Sequence, residues 1–298
     1  MISALIHSFL IFFGVWYDAR QSLRYTDIDY WVFWEAGEAV LAGLSPYTQP
    51  VYRYTPLLSW MMTPFVFLDW RIGGKLLFSA IDLLVGWLLY ENLKGRKHAL
   101  YLVALGWLLN PLILGISTRG SAESIICLFV LLFVRSLQGG SWDASALLLG
   151  LATHWKIFPV IYGLTAVSYI GLRRRPIQAI WFFTVSASTF FLLTGLSTWI
   201  YGFEGLYGSL LYHLARQDVR HNFSPYFYAF YMNGEGISAF YRLVSFLPQF
   251  IPIVFFAFRY GGRDPIMACF LQTISFVTLN KVCTSQVERQ VFSISFGI

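Results

Sequence analysis

Charged residues are scarce in this chain, since Asp, Glu, Lys and Arg make up only 12% of its 298 residues. Soluble domains carry about 25% charged residues, so this scarcity argues against a soluble protein. Hydrophobic residues reach 57% and the mean hydropathy is +0.60, which predicts an all-α protein that crosses a membrane several times. The net charge of +6 does not indicate a nucleic-acid partner, because the basic residues fall in short clusters between apolar segments.

Several kinds of catalytic motif are also missing from the sequence. The three cysteines, Cys127, Cys269 and Cys283, show no close-spaced pattern of metal ligands. There is no glycine-rich phosphate loop, no Ser/His/Asp signature, no His/Cys metal cluster and no internal repeat. We therefore expect neither a metal site nor a cofactor, and we look to carboxylates and cations for the chemistry. A divalent metal held by paired aspartates stays an open alternative.

Long apolar runs organise the chain as one multi-spanning membrane domain covering residues 1–298. They predict spans at residues 2–16, 73–91, 99–116, 177–200, 237–258 and 265–280, with a further span that ends near Val134. In the span at 99–116, Asn110 followed by Pro111 predicts a kink or the start of an exit from the membrane. The basic loop at residues 94–98 indicates the cytosolic side, because positive charge is enriched in cytosolic loops. Residues 17–72 then form a long first loop with interfacial helices on the opposite, lumenal or exterior side.

The most informative stretch of that loop contains Asp27 and Asp29. Ionised carboxylates close to hydrocarbon are costly unless they are used. In an extended or loop conformation, residues two apart point the same way, so both acids can converge on one ligand. On a helix they would diverge by roughly 200°. We therefore expect an extended Asp-x-Asp segment, followed by an interfacial helix over residues 30–40. The alternative is a solvated turn with two ordinary surface acids.

Basic, aromatic and further acidic residues accompany the pair. Arg53 and Tyr54 suit a site for a polar, anionic, partly lipidic ligand, although Arg53 could instead anchor the chain to headgroups. Arg119 lies in a turn, residues 117–124, on the same side as the acids. Asp82 lies within a predicted span, where we favour a packing role over a functional one.

The segment of residues 144–170 begins on the cytosolic side, and the three arginines that follow it at 173–175 indicate that it also ends there. We predict two half-helices that meet at residues 154–159, because Pro159 lacks the amide donor that a smooth helix needs. Such a break is tolerated where it faces protein or a wet cavity, and His154 and Lys156 would point into that cavity. The alternative is one long tilted helix with Lys156 reaching to the interface.

A second large lumenal loop is predicted at residues 201–234. It carries a cluster of basic and polar residues on the side where positive charge is unusual, which suggests an anionic ligand such as a lipid phosphate. An interfacial helix that grips headgroups is the alternative. The candidate binding residues here are Arg216, Arg220, His221 and Asn222, and Lys281 follows on the same side after the last span.

These motifs together resemble the GPI mannosyltransferase 1 family, which acts in glycosylphosphatidylinositol anchor assembly and belongs to the GT-C superfamily. The resemblance covers about residues 10–286. It is carried by residues 25–30 (YTDIDY), 45–47 (SPY), 52–58 (YRYTPLL), 110–111 (NP), 117–120 (STRG), 154–159 (HWKIFP), 220–228 (RHNFSPYFY) and 280–286 (NKVCTSQ). The tail at residues 287–298 (VERQVFSISFGI) departs from the family pattern, and we expect an aberrant or truncated C-terminus.

The resemblance implies a GT-C glycosyltransferase fold in the endoplasmic reticulum membrane. It implies transfer of the first, α-1,4-linked mannose from dolichyl phosphate mannose to glucosaminyl-(acyl)phosphatidylinositol, together with a small single-span stabilising subunit. It also implies that the Asp-x-Asp motif, here Asp27 and Asp29, is required and lies in the lumen.

The expected mechanism is an inverting displacement. One of Asp27 and Asp29 would act as general base on the acceptor hydroxyl, and the other would orient the sugar. A cation from the group Lys156, Arg216, Arg220 and His221 would stabilise the departing phosphate. Two other readings are a transporter or flippase for a lipid-linked sugar and an inactive truncated isoform. A transporter would carry charges along the membrane interior, whereas most charges here lie in loops.

Overall fold

The computed structural model describes residues 1–172, 175–215, 222–233, 244 and 247–280. All regular elements in this part of the chain are helical, which confirms the prediction of an all-α protein. Two helices are long and apolar enough to cross a membrane, Gly73–Leu93 and Pro176–Leu211, and a bent pair of helices would make a third span. Shorter apolar helices are Ile2–Asp18, Pro56–Phe67, Phe158–Leu172, Leu247–Arg259 and Pro265–Leu279.

Fourteen helices can be numbered along the described residues. They are α1 (Ile2–Asp18), α2 (Ile28–Leu41), α3 (Pro56–Phe67), α4 (Gly73–Leu93), α5 (Ala99–Val103), α6 (Pro111–Thr118), α7 (Glu123–Gln138), α8 (Trp142–Trp155), α9 (Tyr162–Leu172), α10 (Pro176–Leu206), α11 (Tyr212–Ala215), α12 (Phe227–Asn233), α13 (Leu247–Arg259) and α14 (Pro265–Leu279). Short 3-10 turns lie at Pro46–Thr48 and Phe158–Ile161, and π-helical turns lie at Ala104–Leu108 and Tyr207–Leu211.

Three of these helices begin at a polar residue followed by proline. Thr55, Asn110 and Asp264 each accept a hydrogen bond on the side chain from a backbone N–H of the first helical turn. The proline that follows is suited to the first helical position, because its missing N–H has no partner there in any helix. The local sequence therefore determines where α3, α6 and α14 start.

Two predicted interruptions are confirmed. The helices Ala99–Leu108 and Pro111–Thr118 meet at a bend of 47°, as expected for Asn110 followed by Pro111. Farther along, α8 ends at Trp155 and a 3-10 turn begins at Phe158. The helix is therefore interrupted at the predicted place. The number of membrane crossings in this region stays a prediction.

Two boundaries differ from the sequence analysis. Helix α2 starts at Ile28, two residues earlier than expected, and therefore includes Asp29. The predicted loop from residue 201 is wrong at its beginning, because helical structure continues to Ala215. The continuation is not a straight helix, since Gly202 has φ 66° and ψ −156°, a conformation that glycine adopts without a steric penalty.

The described helices divide into two compact units. The first comprises residues 1–131, 151–157 and 190–214. Its core forms where α2 packs on α3, with buried side chains that include Tyr30, Phe33, Tyr52, Met62 and Phe78. Burial of these large side chains supplies the main stabilising contribution of the unit. Most of the described candidate site residues belong to this unit.

The second unit comprises residues 132–150, 158–189 and 215–298. In it α9 packs with α13 and α14. The buried Gln272 amide donates to the carbonyls of Ile161 and Ile253, at 3.1 and 3.0 Å. The hydroxyls of Tyr162 and Thr273 lie 2.7 Å apart. These polar contacts connect otherwise apolar helices and satisfy groups that burial would leave at a cost.

One glycine brings the turn before α7 against the helix that carries the acids. Gly120 has φ +101°, and a Cβ built there would lie 2.4 Å from Cδ2 of Tyr30. An L side chain is strained in this conformation, and the contact leaves no room for one. Gly120 therefore permits the close approach of the α6–α7 turn to α2.

We expect Gly120→Ala to lower the free energy of unfolding by about 2 kcal/mol or more, through strain and steric overlap together. Thermal unfolding of the purified protein in detergent measures the effect. Gly43→Ala is the matched control, because Gly43 also has positive φ (+75°) but has no atom within 4 Å of a built Cβ. Equal shifts for the two variants would contradict the packing argument.

Candidate active site

Asp27 is the residue that begins α2. Its backbone is extended (φ −64°, ψ 145°), and its Oδ1 accepts the N–H of Asp29 at 3.2 Å. A carboxylate in this position satisfies a helix N–H that lacks an internal partner, and it lies at the positive end of the helix dipole. The expected extended conformation is found at Asp27, but it was wrong for Asp29, which lies in the first turn of α2.

Arg119, from the turn after α6, lies beside Asp27. The Asp27 N–H donates to the Arg119 carbonyl at 3.0 Å, and Nη2 of Arg119 lies 3.8 Å from Oδ2 of Asp27. Nε of Arg119 also donates to the Tyr25 carbonyl at 2.9 Å. Because the Arg119 side chain is 47% exposed, its guanidinium can reach a ligand while it remains next to the acid.

Tyr54 connects Asp29 to the segment before α3. The Tyr54 hydroxyl donates to Oδ2 of Asp29 at 3.0 Å, and its ring meets Phe33 edge to face at 4.8 Å. Burial raises the pKa of the Tyr54 phenol well above its usual value, and the charges of Asp29 and Glu123 raise it further. Tyr54 therefore stays protonated at neutral pH and acts as a fixed hydrogen-bond donor to Asp29.

A third carboxylate lies near this tyrosine. Glu123 is the first residue of α7, its side chain is only 8% exposed, and its Oε1 accepts a hydrogen bond from Nζ of Lys156. The Glu123 carboxylate thus lies at the positive end of α7 and makes a charge-assisted hydrogen bond to the Lys156 ammonium. The charge of Glu123 acts on the Tyr54 phenol. The site thus contains three acids and two partly exposed cations.

The sequence profile of a family described as Mannosyltransferase (PIG-M) matches residues 116–288. GPI mannosyltransferase 1 of Saccharomyces cerevisiae is 37% identical over 96% of this chain and 75% of its own length. The Danio rerio protein named GPI alpha-1,4-mannosyltransferase I, catalytic subunit, is 40% identical over 95% of this chain and 76% of its own length. GPI mannosyltransferase 1 of Dictyostelium discoideum is 36% identical over 99% of this chain and 75% of its own length.

This chain belongs to the PIG-M mannosyltransferase family. The family match includes the turn with Arg119, the acid Glu123 and the break that contains Lys156. The relatives named above align along almost the whole chain, so the alignments also span the region of the Asp pair.

In this PIG-M family member His154 lies in the interior of the first unit. It is 6% exposed, its Nε2 lies 2.8 Å from Oγ1 of Thr55, and its Nδ1 lies 3.1 Å from Oγ1 of Thr194. The imidazole therefore holds the segment that carries Tyr54. Lys156, two residues later, is the more exposed of the pair that the sequence analysis placed in a wet cavity.

Arg53 contacts the neighbouring Tyr52 and helix α11. Its Nη1 donates to the Tyr52 carbonyl at 3.0 Å, and its guanidinium carbon lies 4.8 Å from the centre of the Tyr212 ring. Its carbonyl lies 2.9 Å from Nε2 of His213. These contacts connect the first loop to helix α11. A ligand bound by Arg53 would therefore lie near α11.

The remaining predicted binding residues belong to the second unit or lie outside the described residues. Asn222 belongs to the second unit, where it is buried and its Oδ1 accepts the N–H of Ser224 at 3.0 Å. Arg216, Arg220, His221 and Lys281 lie outside the described residues. Their roles stay predictions.

Glu123 is not among the site residues that were predicted from the sequence. The available signal was an acid at the first position of an otherwise apolar helix, in the turn that carries Arg119. Among the described residues, no group of three or more His, Cys, Asp or Glu side chains could hold a metal ion. The expectation that no metal is required stays a prediction.

We expect Lys156→Met to destabilise the protein by about 2 kcal/mol, because it leaves the Glu123 carboxylate buried without its cation. The double variant Glu123→Gln, Lys156→Met should recover part of this loss, since neither charge remains. Lys94→Met is the matched control, because Lys94 and Glu91 form a pair whose side chains are 60% and 26% exposed, and such pairs contribute less than about 1 kcal/mol. Thermal unfolding in detergent checks all three variants, and a double variant no more stable than Lys156→Met would contradict the coupling of the two charges.

Proposed function

We propose that this chain transfers the first mannose of the GPI anchor from dolichyl phosphate mannose to glucosaminyl-(acyl)phosphatidylinositol, in α-1,4 linkage. Family membership supports the transfer of mannose. The names of the relatives support the GPI pathway and the linkage. The donor and the acceptor come from the resemblance described above, as does the GT-C architecture.

The observation that carries the proposal is the arrangement around the N-terminus of α2. Asp27 caps α2 and Asp29 lies in its first turn. Each has a defined partner on another part of the chain, Arg119 for Asp27 and Tyr54 for Asp29. Glycosyl transfer to a hydroxyl requires a carboxylate within hydrogen-bond reach of that hydroxyl. It also requires cations for a departing phosphate. Both kinds of group occur in this one unit.

The two acids receive different roles. Asp27 is engaged by the start of α2 and by Arg119, so we assign it to orienting the acceptor sugar. Asp29 is assigned as the general base, with the Tyr54 hydroxyl fixing its carboxylate. In the proposed step, Asp29 takes the proton of the acceptor hydroxyl, and the acceptor oxygen bonds to C1 of mannose. The bond from C1 to the phosphate oxygen breaks, and dolichyl phosphate leaves with the electron pair.

Cations at the edge of the site stabilise the leaving phosphate in this proposal. Arg119 and Lys156 are partly exposed, 47% and 36% for their side chains, and each is paired with an acid of the site. Charge-assisted hydrogen bonds from such groups are stronger than neutral ones. A β-linked donor would give an α-linked product by this single displacement, so the proposed enzyme is inverting.

The proposed location is the endoplasmic reticulum membrane, with the Asp27–Asp29 loop in the lumen. The Danio rerio relative is named a catalytic subunit. We propose that this chain likewise works with a small single-span stabilising subunit.

We expect Asp29→Asn to lower kcat for mannose transfer by about 10²- to 10⁴-fold, the usual contribution of a general base. Asp27→Asn should lower it by about 10- to 100-fold, because asparagine can still cap α2 but loses the charged contact with Arg119. Transfer of labelled mannose from dolichyl phosphate mannose by detergent-solubilised protein is the measurement. Asp69→Asn is the control, because that side chain is 79% exposed and pairs with Arg71.

The assay in detergent also distinguishes the transferase hypothesis from the flippase hypothesis. A flippase has no barrier to act on without a bilayer and yields no mannosylated product, whereas a transferase does. Normal turnover by both Asp27→Asn and Asp29→Asn would refute the proposed site. Lack of transfer by the unaltered chain would refute the proposed activity for this sequence.

The proposed topology predicts that a cysteine at position 28 reacts from the lumen. Ile28 lies between the two acids and is 76% exposed, so Ile28→Cys offers an accessible thiol. In sealed microsomes, a membrane-impermeant maleimide should label it only after the vesicles are opened. Gly95→Cys, in the loop predicted to be cytosolic, should react before opening, and the reverse pattern would overturn the topology. The experiment uses a Cys283→Ser background, in which the remaining native cysteines, Cys127 and Cys269, are buried and give low labelling.

A further inference from the structure

A lysine is buried in the first turn of α4, next to the start of the Asp-x-Asp motif. Lys75 is 3% exposed, and its Nζ donates to Oγ1 of Thr26 at 2.6 Å. The ammonium also lies 5.4 Å from the centre of the Tyr30 ring. An ammonium at this depth is costly unless fixed partners compensate it, so the contact with Thr26 is part of the reason that the charge is tolerated.

Asp18, the last residue of α1, accepts from the other side of the same threonine. Its Oδ2 accepts the Thr26 hydroxyl, and its carboxylate also accepts the backbone N–H groups of Tyr25 and Thr26. A hydroxyl can accept from one group while it donates to another. Thr26 therefore links the Lys75 cation to the Asp18 anion in one continuous chain of hydrogen bonds.

This chain connects two helices to the residue directly before Asp27. Lys75 comes from α4 and Asp18 from α1, and both act on Thr26, which is 5% exposed. The N–H of the next residue, Asp27, donates to the Arg119 carbonyl. The backbone that leads into the acids is therefore held at two consecutive residues, Thr26 and Asp27.

We propose that Lys75, Thr26 and Asp18 are positioning residues for mannosyl transfer, which set the place of Asp27 and Asp29 through the backbone at Thr26. The inference rests on the proposed function and adds residues that act from behind the site. These residues act on the reaction through Asp27 and Asp29. The expected signature is a loss in kcat with little change in the KM for the donor, because the cations that would hold the donor phosphate stay in place.

The matched pair Thr26→Val and Thr26→Ser tests the inference. Valine has nearly the shape of threonine but neither donates nor accepts, whereas serine keeps the hydroxyl. We expect Thr26→Val to lower kcat about 100-fold, as small displacements of reacting groups do, and Thr26→Ser to keep most of it. Thr198→Val is the control, because that hydroxyl donates to the Thr194 carbonyl of its own helix.

Hydrogen exchange gives a readout that does not depend on activity. We expect Thr26→Val to speed exchange at the amides of residues 25–30, with thermal unfolding close to that of Thr198→Val. Unchanged hydrogen exchange at residues 25–30 would overturn the inference, whether or not the chain has transferase activity. Absence of transferase activity by itself would count against the proposed function and not against the positioning role. Equal kcat values for the valine and serine variants would also overturn it.

Lys75→Met serves as a second variant should Thr26→Val fail to fold. It removes the cation and leaves the hydroxyl of Thr26 with Asp18. Faster exchange at residues 25–30 in a folded Lys75→Met protein supports the positioning role. Exchange equal to that of the unaltered chain contradicts it.

Discussion

The start of α2 is the constraint on which the rest of the site depends. A helix N-terminus leaves backbone N–H groups without partners, and it carries a partial positive charge. Asp27 answers both needs, because its carboxylate accepts the N–H of Asp29 and lies at the positive end of the helix. The same geometry places Asp29 in the first turn. The pairing of the two acids is therefore a consequence of how this helix begins.

Every acid of the site has a partner that comes from a distant part of the chain. Asp27 meets Arg119, Asp29 meets Tyr54, and Glu123 meets Lys156. In a protein with few charges and many apolar helices, a buried acid without a partner is costly. Partnering holds the acids in place. It also connects the first loop, the α6–α7 turn and the break after α8 within one unit.

Local signals were enough to predict part of this arrangement. Asn110 followed by Pro111 predicted the bend, and Pro159 predicted the break after α8, because proline acts on its own helix. The Asp-x-Asp motif, Tyr54, Arg119 and Lys156 were also selected from residue type and position. These features depend on a few neighbouring residues, which a single sequence displays directly.

Contacts between distant segments were not predictable in the same way. The role of Glu123 depends on Lys156 and Tyr54, and the role of Lys75 depends on Thr26 and Asp18. Residue type alone does not show that such partners meet. The conformation of the Asp pair was misjudged for another reason. Asp27 satisfies the sequence preference for a helix N-cap, but the alternation of an extended strand fits the same two positions.

Burial and nearby charges determine which groups of the site donate hydrogen bonds and which cations can meet a ligand. Tyr54 is kept protonated by burial and by the charges of Asp29 and Glu123, so it donates to Asp29 without competing for the proton of an acceptor hydroxyl. Arg119 and Lys156 are partly exposed, whereas Lys75 is buried. A partly exposed cation can replace its carboxylate partner with a phosphate oxygen. A buried cation cannot do so without breaking the contacts that hold it. In the proposed reaction the cations therefore divide into two groups, those that meet the departing phosphate and one that holds the acids where the reaction needs them.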